Sequence, residues 1–113
     1  MTFEYHDSRP LIKCAKADIS IQASNFHYCS PRTYLENIQD YSNVEIALFD
    51  KEGDWIQPRE CALLEDFKGL SELIESYQEG IFAVGYNIPI NLVNDLVTYL
   101  NNPGENKCQQ FKS

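Results

Sequence analysis

The stretch "NFHYCSPR" at residues 25–32 brings together an imidazole, a phenol, a thiol and a guanidinium: His27, Tyr28, Cys29 and Arg32. A thiol near an imidazole suggests a cysteine nucleophile, because the imidazole can take the thiol proton. In an extended chain, however, side chains two residues apart point the same way at about 7 Å, beyond direct hydrogen bonding. We therefore expect no catalytic residue here, and we expect Cys29 to lie in the core, as free cysteines commonly do.

A metal centre is the second chemistry that these residue types allow. His6, Cys14, His27 and Cys29 could supply the four ligands of a zinc ion. Structural zinc sites use close ligand pairs, whereas the four cysteines of this chain contain no C-x-x-C pair. The acidic turn "DKEGD" at 50–54 also lacks the spacing of an EF-hand loop. We expect neither a metal nor a cofactor.

Recognition is the third chemistry, and it leaves two roles open. Arginine makes bidentate contacts with oxyanions and tyrosine offers a stacking face, and both types are enriched at protein–protein hot spots. Tyr28 and Arg32 are therefore predicted partner-binding residues. Alternatively, His27, Tyr28 and Arg32 line a pocket for a nucleotide-like ligand. The chain has no glycine-rich phosphate loop, so phosphate recognition would have to use side chains.

The elements that position these residues can be predicted from hydrophobic periodicity. Residues 17–23 and 43–50 alternate apolar and polar side chains, which predicts half-buried strands. A glycine-containing turn leads to a further strand at 55–58, so the segment 43–58 is predicted to form a β-hairpin. The stretch 25–32 is then the polar exit of the first strand, ended by Ser30-Pro31.

The sequence of the second half of the chain predicts one more strand and one clear helix. The apolar run 80–89 indicates a buried central strand, and 89–100 carries an apolar stripe at helical spacing. Residues 59–80 are helical or looped, since Gly69 interrupts the helical pattern. The expected fold is α+β: a mainly antiparallel sheet of three to five short strands, with a C-terminal amphipathic helix packed on one face.

Size and composition indicate one domain. The chain has 113 residues, 43% of them hydrophobic, which is too apolar for a disordered protein. We expect a single domain over 1–104 and a flexible tail over 105–113. No signal peptide is visible and the apolar runs are too short to span a bilayer. We therefore expect a soluble cytoplasmic protein with reduced thiols.

The net charge of −8 is concentrated in the middle of the chain. Residues 36–79 hold twelve acids and three bases. Such a segment repels nucleic acid, whose binding needs lysine and arginine, and it attracts a protein partner with a basic surface. The acids predicted to bind the partner are Glu65, Asp66, Glu72 and Glu75.

In its segments "NVEIALFDKEGDWIQP" and "AVGYNIPINLVNDLVTYL" and in its acidic middle, the chain resembles small acidic proteins encoded by phages and mobile elements, anti-CRISPR and other anti-defence proteins among them. Bacterial immunity proteins share the same description. The resemblance is one of size and character over the whole chain. It implies a non-enzymatic inhibitor that blocks a basic surface of its target, with a homodimer possible. The alternatives are a protein that binds or sequesters a small ligand and an immunity protein that neutralises a toxin.

Overall fold

The computed structural model describes residues 9–78, 80 and 83–102, which form an antiparallel sheet and two helices. The strands are β1 (Ile12–Lys13), β2 (Asp18–Gln22), β3 (Asn43–Phe49), β4 (Tyr77–Gln78) and β5 (Val84–Pro89). The α-helices are α1 (Leu70–Glu75) and α2 (Ile90–Leu100), and short 3-10 helices span Ile38–Asp40, Pro58–Glu60 and Ala62–Leu64. The strand order is β1-β2-β3-β5-β4, and all neighbours are antiparallel. The predicted α+β fold is confirmed.

Alternation along the strands gives the sheet two different faces. Ile19 lies opposite Leu48 and Ile21 opposite Ile46, and all four side chains are buried. The residues between them point the other way: Ser20 lies opposite Ala47. One face therefore belongs to the core. The opposite face, which we call the open face, is only partly covered.

The helices cover the core face. The apolar stripe of α2 contributes four buried side chains, Leu92, Val93, Leu96 and Leu100. Pro89 occupies the N-cap position, and the Ile90 N–H bonds to the Ser42 carbonyl at 2.9 Å. The predicted C-terminal helix and its packing on one face are thus confirmed. Helix α1 is shorter and adds Leu73 to the same core.

Three local predictions need correction or refinement. The second strand of the expected hairpin is reduced to one bridge, Phe49 with Trp55, because Pro58 begins a 3-10 turn soon afterwards. The stretch 25–32 is not a strand exit. Strand β2 has already ended at Gln22, and the His27 N–H closes a turn onto the Ser24 carbonyl. The segment 59–80, predicted to be helical or looped, holds 3-10 turns before Gly69 and α1 after it, and Tyr77 and Gln78 then form the strand β4, which was not predicted.

Two further observations bear on the predicted organisation. The predicted tail, 105–113, lies outside the described residues. Within the part of the chain that the structure describes, no helix has the length and apolarity needed to cross a membrane.

Candidate partner-binding surfaces

The open face carries the side chains that alternate with the core residues. Register places these side chains on it: Lys13, Asp18, Ser20, Gln22, Glu45, Ala47, Phe49, Val84 and Tyr86. Its centre is low because Ser20 and Ala47 are small and adjacent. Larger aromatic side chains flank this centre, among them Phe49 and Trp55, whose ring centroids lie 4.7 Å apart. The open face therefore combines aromatic and charged side chains around a shallow centre.

Tyr28 and Arg32 come together at one end of this face. The Tyr28 ring contacts the Tyr86 ring edge-on, with centroids 4.8 Å apart. The main-chain N–H of Tyr28 donates to a Glu45 carboxylate oxygen at 3.0 Å. The Arg32 guanidinium lies 4.8 Å above the Tyr28 ring. Tyr28 is 50% exposed, and within the described residues the Arg32 guanidinium donates no hydrogen bond. We call Tyr28, Arg32 and Tyr86 the tyrosine–arginine stack.

His27 and Cys29 have separate partners. Cys29 is 5% exposed, and its thiol donates to the carbonyls of Ser24 and Pro31 at 3.3 and 3.4 Å. The expected place of Cys29 in the core is confirmed. His27 Nδ1 lies 2.8 Å from the Ser24 hydroxyl, so that ring nitrogen is already engaged. Of the three residues of the alternative pocket, Tyr28 and Arg32 are in contact through their side chains, whereas His27 is bonded to Ser24.

The metal-ligand candidates do not form a cluster in the described part of the chain. No group of three or more His, Cys, Asp and Glu side chains lies there in positions that could hold a metal ion. His6 lies outside the described residues.

A groove of about 550 Å³ crosses the open face beside β1 and the 50–54 turn. The Lys51 ammonium lies 2.7 Å from the Asp18 carboxylate in this groove and donates to the Cys14 carbonyl at 2.5 Å. The hydrogen bond from Lys51 lowers the pKa of Asp18 below its ordinary value. Burial raises the pKa of the neighbouring Cys14 thiol, although Lys51 opposes the change. The pair joins β2 to the turn, so its role is structural.

Arg9 is a second cation with a structural role that the sequence does not reveal. Its guanidinium donates to the carbonyls of Ala23 and Leu35 at 3.0 and 2.8 Å and to that of Glu36 at 3.1 Å. It also lies 4.9 Å above the Tyr34 ring. These contacts fasten the loop after β2. No sequence pattern marks Arg9, because its acceptors are main-chain carbonyls.

The predicted partner-binding acids lie on the other side of the sheet. Exposed carboxylates on and beside the helices form what we call the acidic helical surface: Glu60, Glu65, Asp66, Glu72, Glu75 and Asp95. Glu65, Asp66, Glu72 and Glu75 make no ion pair within the described residues. The predicted residues therefore fall into two groups, the four acids on the helical side and Tyr28 with Arg32 on the open face.

The acidic helical surface contains a cavity of about 420 Å³ between residues 66–69 and α2. Its lining combines carboxylates and rings: Asp66, Phe67, Lys68, Gly69, Asp95, Thr98 and Tyr99. The Phe67 and Tyr99 rings lie 5.4 Å apart by centroid, and the Tyr99 hydroxyl donates to the Leu63 carbonyl at 2.5 Å. Sequence reasoning missed Asp95 and Tyr99. Their position one turn apart on α2 is the signal that could have found them.

In comparisons with known proteins, no family model, curated protein or solved structure matches this chain. Its function is therefore inferred from these surfaces.

Proposed function

We propose that this protein is a non-enzymatic cytoplasmic inhibitor, which binds a basic surface of a partner protein through its acidic helical surface. The observation that carries the proposal is a set of four exposed carboxylates, Glu65, Asp66, Glu72 and Glu75, which make no ion pair with any residue that the structure describes. The negative electrostatic potential of such carboxylates is not cancelled by a neighbouring cation, so it steers a basic partner towards the surface and favours docking.

Inhibition would follow from the kind of partner surface that is attracted to these acids. Proteins bind nucleic acids through clustered lysine and arginine side chains that neutralise phosphates. A small protein of net charge −8 that covers such a cluster would compete with the nucleic acid. This mode of action suits the anti-defence proteins that the chain resembles, and it suits immunity proteins that neutralise nucleic-acid-degrading toxins.

Charge reversal at the four acids tests the proposal. The variant E65K/D66K/E72K/E75K and the wild type are used as baits in a lysate of the source organism at low and at high salt. The captured partner is then purified, and its affinity is measured directly. The matched control is E36K/D40K/E52K/D54K, which changes the net charge equally at exposed acids outside the acidic helical surface.

We expect the first variant to lose the partner and the control to keep most of the affinity. The wild-type affinity should fall with rising salt, because exposed charges are screened over about 8 Å at physiological ionic strength. Equal losses in the two variants would show that only net charge matters. Unchanged affinity and salt dependence in the first variant would overturn the assignment of this surface.

A second candidate function rests on the tyrosine–arginine stack. A guanidinium held over an aromatic ring, with its N–H groups unused by the described residues, can receive the phosphate or carboxylate of a small ligand. This favours the alternative of a protein that binds or sequesters a nucleotide-like ligand. Mass spectrometry of ligand released from the purified protein, compared between the wild type and Arg32→Ala, separates this function from the first.

A further inference from the structure

We propose that the cavity between residues 66–69 and α2 receives one arginine side chain of the partner. We call this cavity the arginine pocket. The inference rests on the proposed function and makes it specific, because it names one anchoring contact within the acidic helical surface. Its volume of about 420 Å³ falls in the range of about 300–1,000 Å³ typical of small-ligand pockets, so one long side chain fits.

The lining carries the charge that an arginine needs. Asp66 and Asp95 reach the cavity from two separate segments, the turn before α1 and the middle of α2. Neither carboxylate is paired with a cation among the described residues. Lys68 also lines the cavity, but its ammonium lies beyond ion-pair distance of both. Among the described residues, the lining of the cavity itself carries two carboxylates against one ammonium.

The rings of the pocket favour a guanidinium over an ammonium. Tyr99 and Phe67, which is only 6% exposed, form the apolar part of the lining, and their rings are inclined to each other by 46°, so Tyr99 offers most of the aromatic surface. A planar guanidinium lies on aromatic faces and binds carboxylates through paired N–H groups, whereas an ammonium is a strongly hydrated point charge. Lys16 Nζ lies 5.0 Å from the Tyr99 ring centroid, but Lys16 is not among the residues that line the cavity.

Gly69 lets the turn before α1 pack closely against the core. A Cβ at this position would lie 2.4 Å from Leu92 Cδ1 and 3.0 Å from Phe67 Cζ. Any larger residue would therefore push against the Phe67 ring that lines the cavity. The close approach of the main chain to Leu92 explains why the turn before α1 holds glycine.

The test is an NMR titration of ¹⁵N-labelled protein with two probes, a short arginine peptide and a lysine peptide of equal length. The pocket variant is D66N/D95N. The matched control is E72Q/E75Q, which removes the same charge elsewhere on the acidic helical surface.

We expect the arginine peptide to shift the amide signals of Gly69 and Thr98. The pocket variant should bind it about tenfold more weakly, as the loss of two partly exposed ion pairs implies. The control should lose about twofold, and Lys68→Ala should bind more tightly.

Three other outcomes of the titration would contradict the inference. Equal losses in the two double variants would overturn the arginine pocket and leave the acidic helical surface as a diffuse binding site. Equal affinity for the lysine peptide, with the same shifted amides, would overturn the choice of arginine. If neither peptide binds and the captured partner tolerates charge reversal, both this inference and the proposed function fail. Amide spectra without peptide check that all variants are folded.

Discussion

Replacing Gly85 with alanine should destabilise the fold by overpacking the junction of β3, β5 and β4. Gly85 lies opposite Ile46 on one side and Tyr77 on the other, facing the core. An added Cβ would lie 2.8 Å from two atoms of the Tyr77 ring and 3.0 Å from Ile88 Cδ1. These separations are shorter than the 3.4 Å at which ordinary contact begins, so the ring must move.

The magnitude is the difference between two opposing effects. Overpacking a well-packed core by one methyl group costs about 1–3 kcal/mol. Gly85 does not have a positive φ, so alanine fits the backbone and restricts the unfolded chain, which returns about 0.4–1 kcal/mol. The expected net loss is about 1.5 kcal/mol, or about 6 °C in Tm for a domain of this size.

The assay is a double-mutant cycle by urea denaturation with wild type, Gly85→Ala, Tyr77→Leu and the double variant. Leucine at 77 replaces the rigid ring, whose Cδ1 and Cε1 lie nearest the new methyl group, with a smaller and more flexible side chain. Gly85→Ala should therefore cost about 1 kcal/mol less in that background, a coupling that the cycle measures directly. Strictly additive effects would refute the reasoning, since they would mean that the Tyr77 ring does not limit the space at residue 85.

Two further predictions concern the Asp18–Lys51 pair and the thiols. Because Lys51 lowers the pKa of Asp18, the pair stabilises the fold above the ordinary carboxyl pKa and loses this effect as pH falls through the lower folded-state pKa. Asp18→Asn should be less stable in urea at pH 7, and its deficit should shrink below about pH 4; a constant deficit would contradict the pair's role. In a Cys108→Ser variant, which removes the cysteine outside the described residues, a thiol reagent should label the half-buried Cys61 first. Fast labelling of Cys14 or Cys29 would contradict their burial.

The parts of the fold that sequence predicted are those fixed by local periodicity. Alternation over 17–23 and 43–50 marked β2 and β3, because a strand with one buried face must place apolar residues at every second position. The helical stripe marked α2 for the equivalent reason. The strand expected at 55–58 failed because its pairing depends on the course of the chain after it. Pro58 turns the chain into a 3-10 helix after a single bridge.

The candidate sites were less accessible to sequence reasoning. The presence of an exposed acidic surface was predictable because the segment 36–79 holds twelve acids, too many for a core to bury. The contact of Arg32 with Tyr28 is local, but the support from Tyr86 and Glu45 comes from strands distant in sequence. Chemistry suggested by adjacency was misleading for His27 and Cys29. Each is bound to atoms of Ser24 instead of to the other.

The sequence by itself determined the α+β class, the position of the C-terminal helix and the acidity of the middle segment, because these depend on residue type and short-range spacing. Only the tertiary structure decided which side of the sheet each group occupies. It placed Tyr28 and Arg32 on the open face and the exposed acids on the helical side, and it joined Asp66 to Asp95 around one cavity. The physical reason is that strand pairing and helix packing set these distances, and both depend on contacts between residues far apart in the chain.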